Sequence, residues 1–157
     1  MANSVIVERC LDVGILYNIA NREDIFCDIA EDEAPPVVPD VVNEYWLLLF
    51  VDEEIIGCYR VHALSSCLYQ GHAFVMPEFR KEHSKSSLKS VAGWCLQNIE
   101  NMKKMNCDVP EKFKHVQHFL LNAGFKPEGV CRDGWTKDGQ VMDVFRFGAT
   151  VEELRLI

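Results

Sequence analysis

The chain has 157 residues, of which 48% are hydrophobic and 25% charged, with a formal net charge of −8. That length suits one domain, 1–157, with a real core, and the composition excludes a disordered chain. The negative charge excludes a general nucleic-acid binder, whose affinity comes from Lys and Arg neutralising phosphates.

Ser4 to Glu8 (SVIVE) reads as a first strand. Asp12 is a suitable N-cap for a helix running to about Ala20. Asn21 to Ala30 reads as a second short helix, with Ile25, Phe26 and Ile29 on one apolar face. The acidic Glu31-Asp32-Glu33 then leads into Ala34-Pro35-Pro36-Val37-Val38-Pro39. Prolines cannot donate hydrogen bonds and favour extended backbone, so this is a surface loop. It is acidic enough to dock a basic partner. Glu44 to Val51 is a buried strand, because Trp46 to Phe50 is continuously apolar. Asp52-Glu53-Glu54 turns the chain, with Glu53 and Glu54 solvated.

Ile55 to Leu64 and Leu68 to Met76 follow as strands. Ser84 to Ile99 is an amphipathic helix. Leu88, Val91, Ala92 and Cys95 share its inner face, and Lys81, Lys85 and Lys89 line up on another. Met105 to Val109 is a short strand, and Pro110 sits where a helix can begin. That helix buries Phe113, Val116, Phe119 and Leu120 and ends at Gly124, a residue suited to left-handed backbone. Phe125 returns to the core. Val130, Cys131 and Trp135 carry a strand, Lys137-Asp138-Gly139 turns it, and Val141, Val144 and Phe147 form the return. No internal repeat is visible.

The seven cysteines include no C-x-x-C pair, and most lie in apolar runs, so free buried thiols are expected. No charged segment precedes an apolar leader, and no long apolar span occurs. A reducing compartment is the expectation: the cytoplasm or a virion interior, neither secreted nor at a membrane. His115 and His118 stand i, i+3 on a helix without a third ligand, so no metal is expected.

The closing sequence GFKPEGV…DG…D, from Gly124, resembles the C-terminal end of the GNAT N-acyltransferase superfamily. The predicted order β-α-α-β-β-β-α-β-α-β-β is similar to that fold from about Ser4 to Gly148. The resemblance implies an α/β fold with a central mixed sheet, a V-shaped split between strands, and flanking helices. It also implies acetyl-CoA as cofactor and an amine as acyl acceptor. In the family, V-x-P is followed by an Arg and a glycine-rich turn whose amides bind pyrophosphate. Here His72-Ala73-Phe74-Val75-Met76-Pro77 is followed by Glu78-Phe79-Arg80. Phe74, Val75 and Met76 would then flank the thioester, and Arg80, Lys81, His83, Ser84, Lys85 and Ser86 would surround the pyrophosphate.

Three departures oppose that chemistry. His83 and Lys85 stand where the family has glycines, and a β-carbon obstructs close backbone approach to phosphate. Cations and hydroxyls at this helix start offer a partial substitute. Leu120 stands where many members place a Tyr that protonates the leaving thiolate, and leucine has no proton to give. Phe113 stands at the family's Asn position. His62 and His72, on central strands, are the candidate general bases. The wording from His72 to Arg80, with Trp94, Val109-Pro110 and the final hairpin, resembles GNAT-like proteins of tailed bacteriophages. Those include acetyltransferases and head-assembly or internal virion proteins. Two functions follow: an acyl-CoA-dependent N-acyltransferase, or a non-catalytic module that binds a phage structural protein.

Overall fold

The computed structural model describes residues 4–157. The strands are β1 (Ile6–Arg9), β2 (Tyr45–Val51), β3 (Glu54–Ala63), β4 (Leu68–Val75), β5 (Lys104–Pro110), β6 (Lys126–Lys137) and β7 (Gln140–Thr150). The helices are α1 (Val13–Ala20), α2 (Glu23–Ile29), α3 (Pro77–Asn98), α4 (Lys114–Ala123) and α5 (Val151–Leu154). The seven strands form one mixed sheet in the order β1-β2-β3-β4-β5-β7-β6. Only β4 and β5 run parallel; every other neighbouring pair is antiparallel.

Local chemistry explains most of the boundaries. The Asp12 carboxylate accepts the Ile15 amide at 3.1 Å and so starts α1. Gly124, at φ 101°, ends α4 in the left-handed region. Asp138 and Gly139 both have positive φ (52° and 72°), the two-residue turn whose twist matches that of paired strands. Gly57 packs so close to β4 that a β-carbon would lie 2.4 Å from the Phe74 carbonyl oxygen. α5 is a short addition to the predicted order. Its capping box, Thr150 with Glu153, is written in the sequence as T-x-x-E.

Two boundaries, the starts of α3 and α4, differ from expectation by more than two residues. α3 begins at Pro77, not at Ser84, because proline at the first helical position is already set for helix and needs no amide partner. No glycine follows until Gly93, so nothing interrupts it. Pro110 closes β5 opposite Val144 instead of opening α4, which begins at Lys114. Of the four residues expected beneath α4, Leu120 is buried, while Phe113, Val116 and Phe119 are partly exposed. On α2, Ile25 is buried and Ile29 exposed. Among the seven cysteines, Cys10, Cys58 and Cys95 are buried, whereas Cys27, Cys67 and Cys131 face solvent.

Two cores lie on opposite faces of the sheet. One joins Leu47, Leu49, Tyr59, Val61, Met105 and Phe147 to Leu88 and Val91 of α3 and Leu120 of α4. The other joins Trp46, Leu48, Cys58 and Phe74 to Leu16 and Ile19 of α1 and Ile25 of α2. The parallel pairing of β4 with β5 lasts only from Leu68–Gln70 against Lys104–Asn106. Beyond it β4 continues to Val75 and β5 to Pro110 without pairing to each other, so the sheet splits into a V.

Candidate functional site at the split of the sheet

Side chains alternate between the faces of a strand. Cys58 and Phe74 belong to the core under α1 and α2. Arg60 and His62 therefore share that face on β3, as do Gln70 and His72 on β4. Met105 and Val109 point into the opposite core, which leaves Asn106 and Asp108 of β5 on the α1–α2 face. A belt of polar side chains crosses the sheet here. Glu44 accepts Arg60 Nε at 2.8 Å and Trp46 Nε1 at 3.1 Å. Gln70 donates to Asp108 at 3.3 Å, and Arg146 of β7 binds Asp108 through two nitrogens, each at 2.8 Å.

His62 and His72 meet in the middle of this belt, Nε2 to Nε2 at 3.1 Å, with rings 11° from parallel. Their ring centroids are 5.2 Å apart, so the two nitrogens face each other nearly head-on. That is the geometry of one N–H donated to the other ring's lone pair, not of two lone pairs converging on a metal. Burial pushes the His72 pKa down to about 4, helped by the Arg60 guanidinium and by His62. Burial, then Arg60, also lowers that of His62. Both imidazoles are therefore neutral near pH 7. Among the described residues, no group of three or more His, Cys, Asp or Glu is placed to hold a metal.

The residues expected around a pyrophosphate are placed differently from a phosphate-binding turn. Phe74 is buried against the Trp46 ring, with centroids 5.8 Å apart. Val75 lies in the other core, and Met76 is the N-cap of α3. Arg80 donates from Nε to the Val75 carbonyl at 2.9 Å and from a terminal nitrogen to Asp28 of α2 at 3.1 Å. Arg22, at the start of α2, pairs with Glu78 at 3.0 Å, so α2 is tied twice to the start of α3. Lys81 and Lys85 are exposed, Ser84 is half-buried, and the Ser86 hydroxyl donates to the His83 carbonyl. His83 is buried beneath the helix with Ser87; neither His83 Nδ1 nor Ser87 Oγ has a hydrogen-bond partner.

This arrangement does not fit a CoA pyrophosphate. The segment that would form the turn, Arg80 to Lys85, lies wholly inside α3. Amides inside a helix donate to carbonyls four residues back and are not free to cradle an anion. The Arg80 guanidinium is already shared between Val75 and Asp28. The sequence carried a signal for this in its missing glycines. It carried none for the belt, because the meeting of His62 with His72 and of Asp108 with Arg146 depends on strand register.

Neither a protein-family model nor a curated protein sequence matches the chain. Solved structures do. A spermidine N-acetyltransferase from Vibrio cholerae, in complex with CoA and spermine, superposes with a TM-score of 0.80 at 14% identity, covering 97% of this chain and 98% of that one. A mutant form of the same organism's enzyme, SpeG, gives 0.78 at 13% identity over 97% and 96%. A probable acetyltransferase gives 0.72 at 15% identity over 98% and 97%. With a mixed seven-stranded sheet, a split between its parallel strands and helices on both faces, the chain has the fold of the GNAT acetyltransferases.

Proposed function

We propose that this chain uses the GNAT fold as a non-catalytic binding module, as a phage head-assembly, internal virion or DNA-delivery protein would. The observation that carries the reading is the start of α3 at Pro77, which converts the expected phosphate turn into helix. Leu120 and Phe113 add to it, since neither can supply the proton or the amide contact that the family's Tyr and Asn supply. Fold alone does not decide activity, and chemistry has to be argued from the site. The test is calorimetric titration of the purified protein with acetyl-CoA and with CoA, alongside thermal unfolding. The expected result is no heat at millimolar ligand and no shift in Tm. Micromolar binding would overturn the reading.

The split between β4 and β5, with two neutral imidazoles on the adjacent strands, favours a second reading. In it the protein is an acyl-CoA-dependent N-acyltransferase with His72 as the base for an amine substrate. Micromolar CoA binding that is lost in Arg80→Ala with Lys85→Ala would select it.

A further inference from the structure

α1 is almost wholly apolar in sequence. Its sequence is VGILYNIA, in which Asn18 is the one amide or charged side chain. A helix of that kind is normally enclosed, since only a polar face belongs in water. Here Leu16, Ile19 and Ala20 face the core and Gly14 and Asn18 point away from it, while Val13 and Tyr17 are exposed on one flank and Ile15 on the other. Leu11, just ahead of the helix, is 65% exposed. Asn21, at the end of α1, holds Val37 through two hydrogen bonds of 2.8 and 2.7 Å. Cys10, just before α1, donates its amide to the Trp46 carbonyl at 2.8 Å. The segment from Val37 to Trp46 therefore runs back along α1. Val37 and Val41 pack against the core under α1, while Val38 and Val42 are 74% and 83% exposed.

This uncovered surface belongs to the most acidic part of the chain. Between Asp12 and Glu54 there are twelve carboxylates and one basic side chain, Arg22. Arg22 is itself paired with Asp24 and Glu78, and from outside the segment Arg60 pairs with Glu44 and Arg80 with Asp28, which leaves most of the carboxylates without a cation among the described residues. The rest of the chain carries more basic than acidic side chains. An apolar strip within so negative a field selects against three occupants. A second copy would bring two acidic faces together. Nucleic acid and anionic bilayers would be repelled in the same way. The complementary occupant has apolar side chains for the strip and cations for its surroundings. We infer that the exposed flank of α1 carrying Val13 and Tyr17, with Val38 and Val42, docks a lysine- or arginine-rich amphipathic segment of a partner protein. The inference rests on the binding-module reading and gives that module its surface.

The test uses the full chain and two synthetic peptides of roughly 20 residues, long enough to span the face as a helix. Both contain only Lys and Leu, one segregated at helical spacing and one scrambled. The segregated peptide is expected to bind at least about tenfold more tightly, and binding should weaken as salt is raised. Val13→Ser with Tyr17→Ser is expected to remove about tenfold or more of that affinity. Glu31→Gln with Glu33→Gln should weaken binding and flatten its salt dependence. If the α1 variant fails to fold, Val38→Ser with Val42→Ser reads the same surface. Equal affinity for the scrambled peptide would overturn the inference, as would affinity unchanged by the serine substitutions. Spermine binding without peptide binding would overturn it too. So would a dimer in sedimentation that the serine variant dissolves. Micromolar CoA binding would sink the module reading whichever way the peptides behave. Silence toward both CoA and peptide would sink this inference alone.

Discussion

His72 sits where a strand side chain meets both a neighbouring imidazole and an arginine, and its titration follows from that. Burial is the largest cause of its low pKa of about 4, with Arg60 next and His62 third; Asp108 and Glu44 oppose them. An unfolded chain would titrate this residue at its ordinary value of 6.5. Between those two pH values the unfolded state takes up a proton that the folded state refuses. Stability therefore falls as pH drops through that window and is unaffected by this group above it. The loss is expected to be on the order of 2–3 kcal/mol in denaturant titrations compared between about pH 7.5 and about pH 4. His72→Gln should remove most of that dependence while keeping a polar group beside His62. A slope unchanged in the variant would assign it to His62 or to the carboxylates instead. At this scale the sequence offered both histidines as candidates on central strands. It did not reveal their contact, because Arg60 stands opposite His72 and Gln70 opposite His62. The two histidines meet diagonally, and only the register shows that.

Among the elements, the β6–β7 hairpin shows what is legible and what is not. Asp138-Gly139 between two apolar-patterned runs is a turn that sequence can read, because few residues accept positive φ twice in succession. Where the hairpin tip goes is a tertiary matter. The Asp32 carboxylate accepts the Asp138 and Gly139 amides at 3.0 and 2.9 Å, and the Asp32 amide donates to the Thr136 carbonyl at 2.9 Å. Lys137 donates to the Cys27 and Ala30 carbonyls at 2.8 and 2.7 Å, a cation at the C-terminal end of α2. The acidic loop, read from sequence as a surface loop able to dock a basic partner, is thus partly a fastener that holds the hairpin to α2. The Gly139 amide, then the Asp138 amide, hold the Asp32 carboxyl below its ordinary 3.8. A lowered carboxylate pKa stabilises the contact above that ordinary value and loses it as pH falls through the folded one. In Asp32→Asn, hydrogen exchange at the Asp138 and Gly139 amides should accelerate, while the amides of Trp46 to Phe50 stay protected. Unchanged exchange at the tip would mean that Lys137 and the Asp32–Thr136 backbone bond are enough to fasten it. α3 is the counter-example: the family resemblance suggested a turn before Ser84, but local chemistry from Pro77 onward gives helix.

For the molecule as a whole, the question is whether two cores on one sheet behave as one unit. Every strand from β1 to β5 has neighbours on both sides except at the edge, and β2 and β3 send side chains into both cores. Loss of packing on one face should therefore loosen the other through shared strands. Phe125 tests this. It is 2% exposed, follows the glycine that ends α4, and packs in the core that contains Leu88, Val91 and Phe147. Phe125→Ala leaves a cavity that this close-packed interior fills only in part, for an expected loss on the order of 3–5 kcal/mol in chemical denaturation. The loss should appear in one transition, with tryptophan fluorescence and far-UV circular dichroism coinciding. Trp46 lies in the opposite core while Trp94 packs against the core of Phe125, so with Trp94 and Trp135 replaced by Phe the fluorescence reports the face that the substitution does not touch. A loss below about 1 kcal/mol would mean that the site collapses around the smaller side chain. Two separate transitions would mean that the halves on either side of the split fold independently. The brief β4–β5 pairing is the one place where the sheet could part in that way.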